Sequence, residues 1–149
     1  MNPLLKKMQD NNQSVIHILN AHDDLEPIFK DFETSLKVQK STINTSTPFI
    51  LGFAKTLREI EEIASFSEFL EPEALFWICY PKGSSKKYTC EFNRDNGWTK
   101  LAELGFEPVR QIAFDEDWSA LRFKRVGDIK KMTRSFAYTA EGKEKASKK

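Results

Sequence analysis

The stretch that decides the fold is residues 75–126, LFWICYPKGSSKKYTCEFNRDNGWTKLAELGFEPVRQIAFDEDWSALRFKRV. Its first six residues, 75–80, are all apolar or aromatic, which predicts a strand buried on both faces of a sheet. A basic loop follows, and then apolar positions at helical spacing predict a short helix that ends at Gly105. Residues 106–115 and 119–126 predict two strands, and the short acidic link between them makes the pair an antiparallel hairpin.

Upstream of this stretch, strand and helix patterns alternate. Three runs predict strands: residues 15–19, 35–39 and 49–53. An apolar face that begins at Leu25 predicts a helix capped by Asp23 or Asp24. Thr56 predicts the cap of a second helix whose apolar positions run to Leu70, and the Glu-Pro-Glu that follows ends it. This alternation predicts an α/β fold, a Rossmann-like three-layer sandwich with a mostly parallel sheet and a C-terminal antiparallel hairpin.

The chain divides by composition into three parts. We expect a single α/β domain over residues 14–126, preceded by a polar lead-in over residues 1–13 that holds one short turn. The net charge is +1, but it amounts to −3 over residues 1–126 and +4 over residues 127–149. The last segment is therefore predicted to be a basic, largely disordered tail.

Composition excludes several classes of protein. No apolar run approaches the roughly 20 residues that span a bilayer, and the first residues lack the apolar core of a signal peptide. Two cysteines fit neither a disulfide framework nor a zinc site, and Cys79 is predicted to be a buried, inert thiol inside a strand. We therefore expect a cytoplasmic protein with no membrane contact.

The sequence lacks both parts of a nucleotide-cofactor fingerprint. The turn after the first strand reads NAHDD, the first glycine of the chain is Gly52, and the second strand ends without a carboxylate. We therefore expect no cofactor. His22 and Asp23 lie where the first strand ends and are candidates for chemistry. His17 is predicted to pack in the core, and one histidine beside two aspartates makes neither a triad nor a zinc site, so we assign no catalytic residue and no metal.

The positive signal in the sequence is the basic loop over residues 81–87. It follows a buried strand, and its side chains offer cations, hydroxyls and a flexible glycine to a phosphate or carboxylate. The predicted anion-binding residues are Lys82, Gly83, Ser84, Ser85, Lys86 and, further on, Arg94, with Lys87 beside them. The alternative interpretation is a solvated surface loop.

Two tryptophans have structural and functional interpretations. Trp98 is predicted to pack its helix on the sheet. Trp118 is predicted to be a core residue at the sheet edge whose indole N–H finds a nearby acceptor, the alternative being an exposed contact surface beside Asp115 and Asp117.

Three motifs carry a family resemblance: WICYPK at residues 77–82, DNGW at residues 95–98 and DEDWSALRF at residues 115–123. With them, the chain resembles a family of small bacterial proteins classed as a domain of unknown function, which are similar to shortened Rossmann-like methyltransferases. The resemblance covers roughly residues 15–126. It implies a fold and no activity.

These observations favour a noncatalytic binding or regulatory domain that recognises a small anionic ligand or a protein partner, with no specific nucleic-acid binding. The alternative is a divergent, methyltransferase-like transferase acting on an anionic substrate at the basic loop.

Overall fold

The computed structural model describes residues 2–10, 13–40, 42–92 and 97–128. The strands are β1 (Val15–Leu19), β2 (Lys37–Gln39), β3 (Thr47–Phe53), β4 (Leu70–Pro81), β5 (Phe106–Ala113) and β6 (Trp118–Arg125). The α-helices are α1 (Pro3–Lys7), α2 (Glu26–Phe32), α3 (Leu57–Ser65) and α4 (Thr99–Glu103). Short 3₁₀ helices cover Asp23–Leu25, Phe66–Phe69 and Val126–Asp128. Part of the DNGW motif and the predicted tail from residue 129 lie outside the described residues.

The strands form one six-stranded sheet in the order β2-β1-β3-β4-β6-β5. The neighbours among β2, β1, β3 and β4 are parallel, whereas β6 is antiparallel to both β4 and β5. The predicted mixed α/β fold with a C-terminal antiparallel hairpin is thereby confirmed. The last strand lies inside the sheet, so β5 forms the edge.

The sheet has a hydrophobic core on each face. Along β4, Leu75, Trp77 and Cys79 face one core, and the alternate side chains, such as Ile78, face the other. The first core is completed by α1 and α2, the second by α3 and α4. Cys79 is fully buried, as predicted, and burial raises the pKa of its thiol well above the usual value.

The N-terminal segment is part of the packed structure. Asn2 caps α1 by accepting hydrogen bonds from the backbone N–H groups of Leu4 and Leu5, at 2.8 and 3.1 Å. Leu5 and Met8 are buried in the first core, and the Met8 carbonyl accepts a hydrogen bond from the indole of Trp77 at 3.0 Å. The predicted polar lead-in therefore contains a helix that contributes core side chains.

The second predicted helix is shorter than its apolar pattern suggests. Thr56 caps α3 as predicted, with Glu59 completing a capping box. The helix ends at Ser65 and not near Leu70, because Leu70 already pairs with Thr47 as the first residue of β4. The strand thus includes the Glu-Pro-Glu that was predicted to lie between helix and strand. No helix of the described residues is long and apolar enough to cross a membrane.

Candidate functional site

The candidate site lies at the carboxyl edge of the parallel strands, between β1 and β3. The chain leaves β1 toward β2 on one side, and β3 lies on the other side of β1, so the strand order reverses there. Open α/β sheets bind ligands at such a switch point. The loops that follow β1, β3 and β4 meet at this edge.

The turn after β1 has an unusual backbone although it has no glycine. Asn20 has a φ of +60°, in the left-handed region that asparagine tolerates better than most residues. The predicted helix caps are wrong, because Asp23 and Asp24 lie within the 3₁₀ turn and His22 precedes it without a side-chain capping bond. The Asp24 carboxylate instead accepts hydrogen bonds across the edge from Tyr88 Oη at 2.7 Å and from Lys87 Nζ at 2.9 Å.

Aromatic rings fill the space between these loops. The ring of Tyr88 lies 4.8 Å from His22 and 5.0 Å from Trp118, measured between ring centroids. His22 and Trp118 are 5.8 Å apart, and Phe53, at the end of β3, lies 5.2 Å from Trp118. The Lys55 ammonium, just after β3, lies 5.8 Å from the Tyr88 ring centroid.

The pKa values of Asp24, Lys87 and Tyr88 are all shifted from their usual values. Hydrogen bonds from Tyr88 and Lys87 hold the pKa of the Asp24 carboxyl below its usual value. Burial, followed by the bond to Asp24, raises the pKa of Tyr88 to about 12. The same carboxylate raises the pKa of Lys87. Each shift favours the paired state, but the Lys87 and Asp24 side chains remain 59% and 39% exposed, so the ion pair contributes little to stability.

The beginning of the basic loop is fixed to the turn between β5 and β6. The Lys82 N–H donates to the Asp117 carbonyl at 2.8 Å, and the Ser85 hydroxyl donates to the Asp117 carboxylate at 2.9 Å. The Ser85 oxygen also accepts the backbone N–H groups of Lys87 and Tyr88. This hydroxyl is therefore engaged within the protein.

The other predicted anion-binding residues are placed differently. Gly83, Ser84 and Lys86 are exposed, and Lys82 is half-buried. Arg94 lies outside the described residues. No hydrogen bond or ion pair joins Asp23 or Lys82 to His22 within the part of the chain that the structure describes. The anion-binding role of the loop stays a prediction.

The two tryptophans and His17 pack as predicted. Trp98 and Trp118 are buried, with exposed fractions of 2% and 1%. The predicted acceptor for the Trp118 indole is absent among the described residues. The Asp115 carboxylate accepts the backbone N–H groups of Asp117 and Trp118, both at 2.8 Å. His17 is buried against the Thr47 hydroxyl at 2.7 Å, and burial lowers the pKa of its imidazole.

The hydrogen bonds of Asp24 with Tyr88 and Lys87 were not predicted from the sequence. Asp24 was considered as a helix cap, and neither Tyr88 nor Lys55 was considered as a site residue. The pattern Lys-Lys-Tyr after a buried strand carries no signal that points to a carboxylate more than 60 residues away. Within the described residues, no group of three or more His, Cys, Asp or Glu side chains is arranged to hold a metal.

The Tyr88 side chain would have to move before a nucleoside could contact both His22 and Trp118 at this edge. The left-handed Asn20 supplies the tight turn, but the Tyr88 ring already occupies the space beside His22 and Trp118. The Asp24 carboxylate accepts hydrogen bonds from Tyr88 and Lys87.

The chain is similar in fold to several solved structures, one of which is a methylase. It matches a ribosomal protein L11 methylase from Lactobacillus delbrueckii subsp. bulgaricus at 9% identity with a TM-score of 0.50, covering 82% of this chain and 74% of that one. It also matches a Methanococcus jannaschii fibrillarin pre-rRNA processing protein at 10% identity with a TM-score of 0.45, covering 83% of this chain and 68% of that one. LepI in complex with SAM matches at 11% identity with a TM-score of 0.48, and the match covers 83% of this chain and 47% of LepI.

No protein-family model and no curated protein sequence matches the chain. The similarity is therefore one of structure. The chain has a methyltransferase-like Rossmann fold.

Proposed function

We propose that the chain is a divergent, methyltransferase-like transferase that acts on an anionic substrate at the carboxyl edge of its sheet. The observation that carries the proposal is the meeting of the loops after β1 and β4 at the switch point, where Lys87 and Tyr88 contact Asp24. The methyltransferase-like fold supports the same location.

The lysines of the basic loop would hold the acceptor substrate. Lys82 and Lys86 lie on the loop that leaves β4, next to the candidate crevice, and Lys87 is already paired with Asp24. Their ammonium groups would attract a phosphate or carboxylate and orient it toward the edge. His22, in the turn after β1, is a candidate to exchange a proton with such a substrate. A methyl donor, when bound, would supply the transferred group.

Binding measurements test the proposal without knowledge of the natural substrate. Titration calorimetry with S-adenosylmethionine and S-adenosylhomocysteine is expected to show saturable binding of both to the full chain. Inorganic phosphate is expected to raise the melting temperature, and the Lys82→Ala plus Lys86→Ala variant is expected to lose that stabilisation. Lys6→Ala plus Lys7→Ala, at the end of α1, is the matched control because it removes two exposed cations elsewhere. Absence of nucleoside binding at millimolar concentration would contradict the transferase.

A noncatalytic binding or regulatory domain is the second candidate. The observation that favours it is the Tyr88 ring packed against His22, together with a turn after β1 that has no glycine. Phosphate stabilisation that depends on Lys82 and Lys86, without any nucleoside binding, would select this candidate over the transferase.

Three further assignments remain proposals. These are membership of the bacterial family that the motifs resemble, a cytoplasmic location, and a domain over residues 14–126 with a basic tail. Limited proteolysis tests the last of them, and early cleavage within residues 127–149 with slow cleavage elsewhere is expected. Leu5 and Met8 are buried, so deletion of residues 1–13 is expected to destabilise the domain.

A further inference from the structure

We propose that residues 86–89 form a hinged cover over the candidate crevice. The Tyr88 side chain occupies the crevice when no ligand is bound. A ligand that enters between β1 and β3 must displace this side chain. The gating of a ligand rests on the proposed function, whereas the cover itself is testable without any ligand.

Both ends of the cover are firmly attached. On one side, Ser85 and the Lys82 backbone bond to Asp117 in the turn between β5 and β6. On the other side, the Glu91 N–H donates to the Lys55 carbonyl at 2.9 Å, and the Glu91 carboxylate accepts the Leu57 N–H at 3.3 Å. The next residue, Phe92, is buried in the second core. Movement is therefore confined to the residues between these attachments.

The middle of the cover is held across the crevice by the Asp24 carboxylate and along the chain by the Ser85 oxygen, which accepts the Lys87 and Tyr88 N–H groups. Asp24 accepts from both Lys87 and Tyr88, and the side chains of the ion pair are 59% and 39% exposed. Exposed pairs of this kind are weak because water competes for both charges. Asp24 therefore acts as a latch. The latch opens when water, or a donor group of a ligand, replaces Lys87 and Tyr88 as the partner of its carboxylate.

The Trp118 side chain, whose ring contacts Tyr88, has a hydrogen-bond donor that is unpaired within the described residues. The Trp118 ring is 1% exposed, and its indole N–H has no acceptor among the described residues. Buried donors are nearly always paired, so an unpaired one at a strand end calls for an explanation. A ligand in place of Tyr88 would meet the rings of His22 and Trp118.

The cover lowers the apparent affinity of any such ligand. A protein that is competent to bind for only a fraction of the time shows an affinity reduced by that fraction. If the latch holds the cover closed about nine-tenths of the time, removing Tyr88 raises the affinity about tenfold.

Hydrogen exchange tests the cover directly in the full chain. The indole N–H of Trp118 is followed by NMR, and the indole of Trp77, fully buried and bonded to the Met8 carbonyl, serves as an internal reference. In Asp24→Ala and Tyr88→Ala, exchange at Trp118 is expected to accelerate about tenfold or more while Trp77 exchange stays unchanged. Unchanged exchange at Trp118 in both variants, or equal acceleration at both tryptophans, would overturn the cover.

A matched control separates the latch from a general effect of losing an ion pair. Glu26 pairs with Lys40 in a similarly exposed bridge, and neither residue contacts Tyr88. Glu26→Gln is expected to leave exchange at Trp118 as in the wild type. Acceleration in Glu26→Gln equal to that in Asp24→Ala would refute a specific latch.

Calorimetry with S-adenosylhomocysteine then tests gating. Tyr88→Ala is expected to bind this probe about tenfold more tightly than the wild type. Equal affinities would refute the gating and leave the transferase proposal standing. No binding by either protein, with faster exchange at Trp118, would refute the transferase and its gating and still support the cover.

Discussion

Gly52→Ala is expected to destabilise the protein through a single steric contact. Gly52 lies in β3 at the centre of the sheet, paired with Leu19 of β1 and Ile78 of β4. A Cβ atom added there would lie 2.7, 2.8 and 2.9 Å from the Cδ1, Cγ2 and Cγ1 atoms of Ile63 on α3. Ile63 is fully buried, and its two γ-carbons both branch from Cβ, so rotation does not clear the contact.

The magnitude follows from the balance of two effects. Forcing a methyl group into a well-packed core typically costs about 1–3 kcal/mol. Without the contact, alanine would stabilise the protein by roughly 0.4–1 kcal/mol, because it restricts the unfolded chain more than glycine does. The φ angle of Gly52 is not in the left-handed region, so alanine suffers no backbone strain there. The sign of the change in unfolding free energy therefore reports on the contact.

Urea denaturation of the wild type and the variant measures this free energy, with the slope checked for constancy. Gly83→Ala is the matched control, because a Cβ at Gly83 meets no atom within 4 Å. In an Ile63→Ala background, the additional cost of Gly52→Ala is expected to vanish, as a double-mutant cycle requires of a direct contact. A Gly52→Ala protein as stable as the wild type would refute the packing of α3 on β3 described above.

Three other predictions concern titration and capping. Thr56→Ala is expected to cost about 1 kcal/mol of unfolding free energy in urea, because the capping bond at the start of α3 is lost. Burial of His17 against Thr47 lowers the pKa of its imidazole, so the stability it contributes is present above pH 6.5 and lost as the pH falls below that value. His17→Gln is expected to flatten this part of the stability profile, and an unchanged profile would contradict the assignment. The pKa of Tyr88 is raised to about 12, so its contribution is present below pH 10 and lost as the pH rises toward 12. Absorbance at 295 nm is expected to show a late phenolate transition that Tyr88→Phe removes, and its persistence in the variant would argue against the bond to Asp24.

Local patterns were sufficient to predict much of the sheet. The run at Leu75 and the alternation after Trp118 place strands where the structure has them, because burial on one or both faces imposes a recognisable period on the sequence. The boundary between α3 and β4 was not predictable in this way. Apolar residues such as Leu70 suit either element, and pairing with Thr47 decides between them.

The location of the candidate site was predictable from the sequence, but its contacts were not. Its location follows from the order of strands and helices, since strands that alternate with helices place their carboxyl ends on one edge. His22 was found by that rule. The partnership of Asp24 with Tyr88 was not, because the two residues are brought together only when β1 and β4 take their places in the sheet.

The sequence alone therefore determined the class of fold and most of the sheet, and it indicated the candidate edge, because each depends on hydrophobic periodicity and on chain order. Only the tertiary structure decided which side chains meet at that edge and how they are hydrogen-bonded. Lys87 and Tyr88 reach the turn after β1, where the Asp24 carboxylate accepts a hydrogen bond from each. Such contacts depend on distances between segments remote in the chain, and no local pattern of residues encodes those distances.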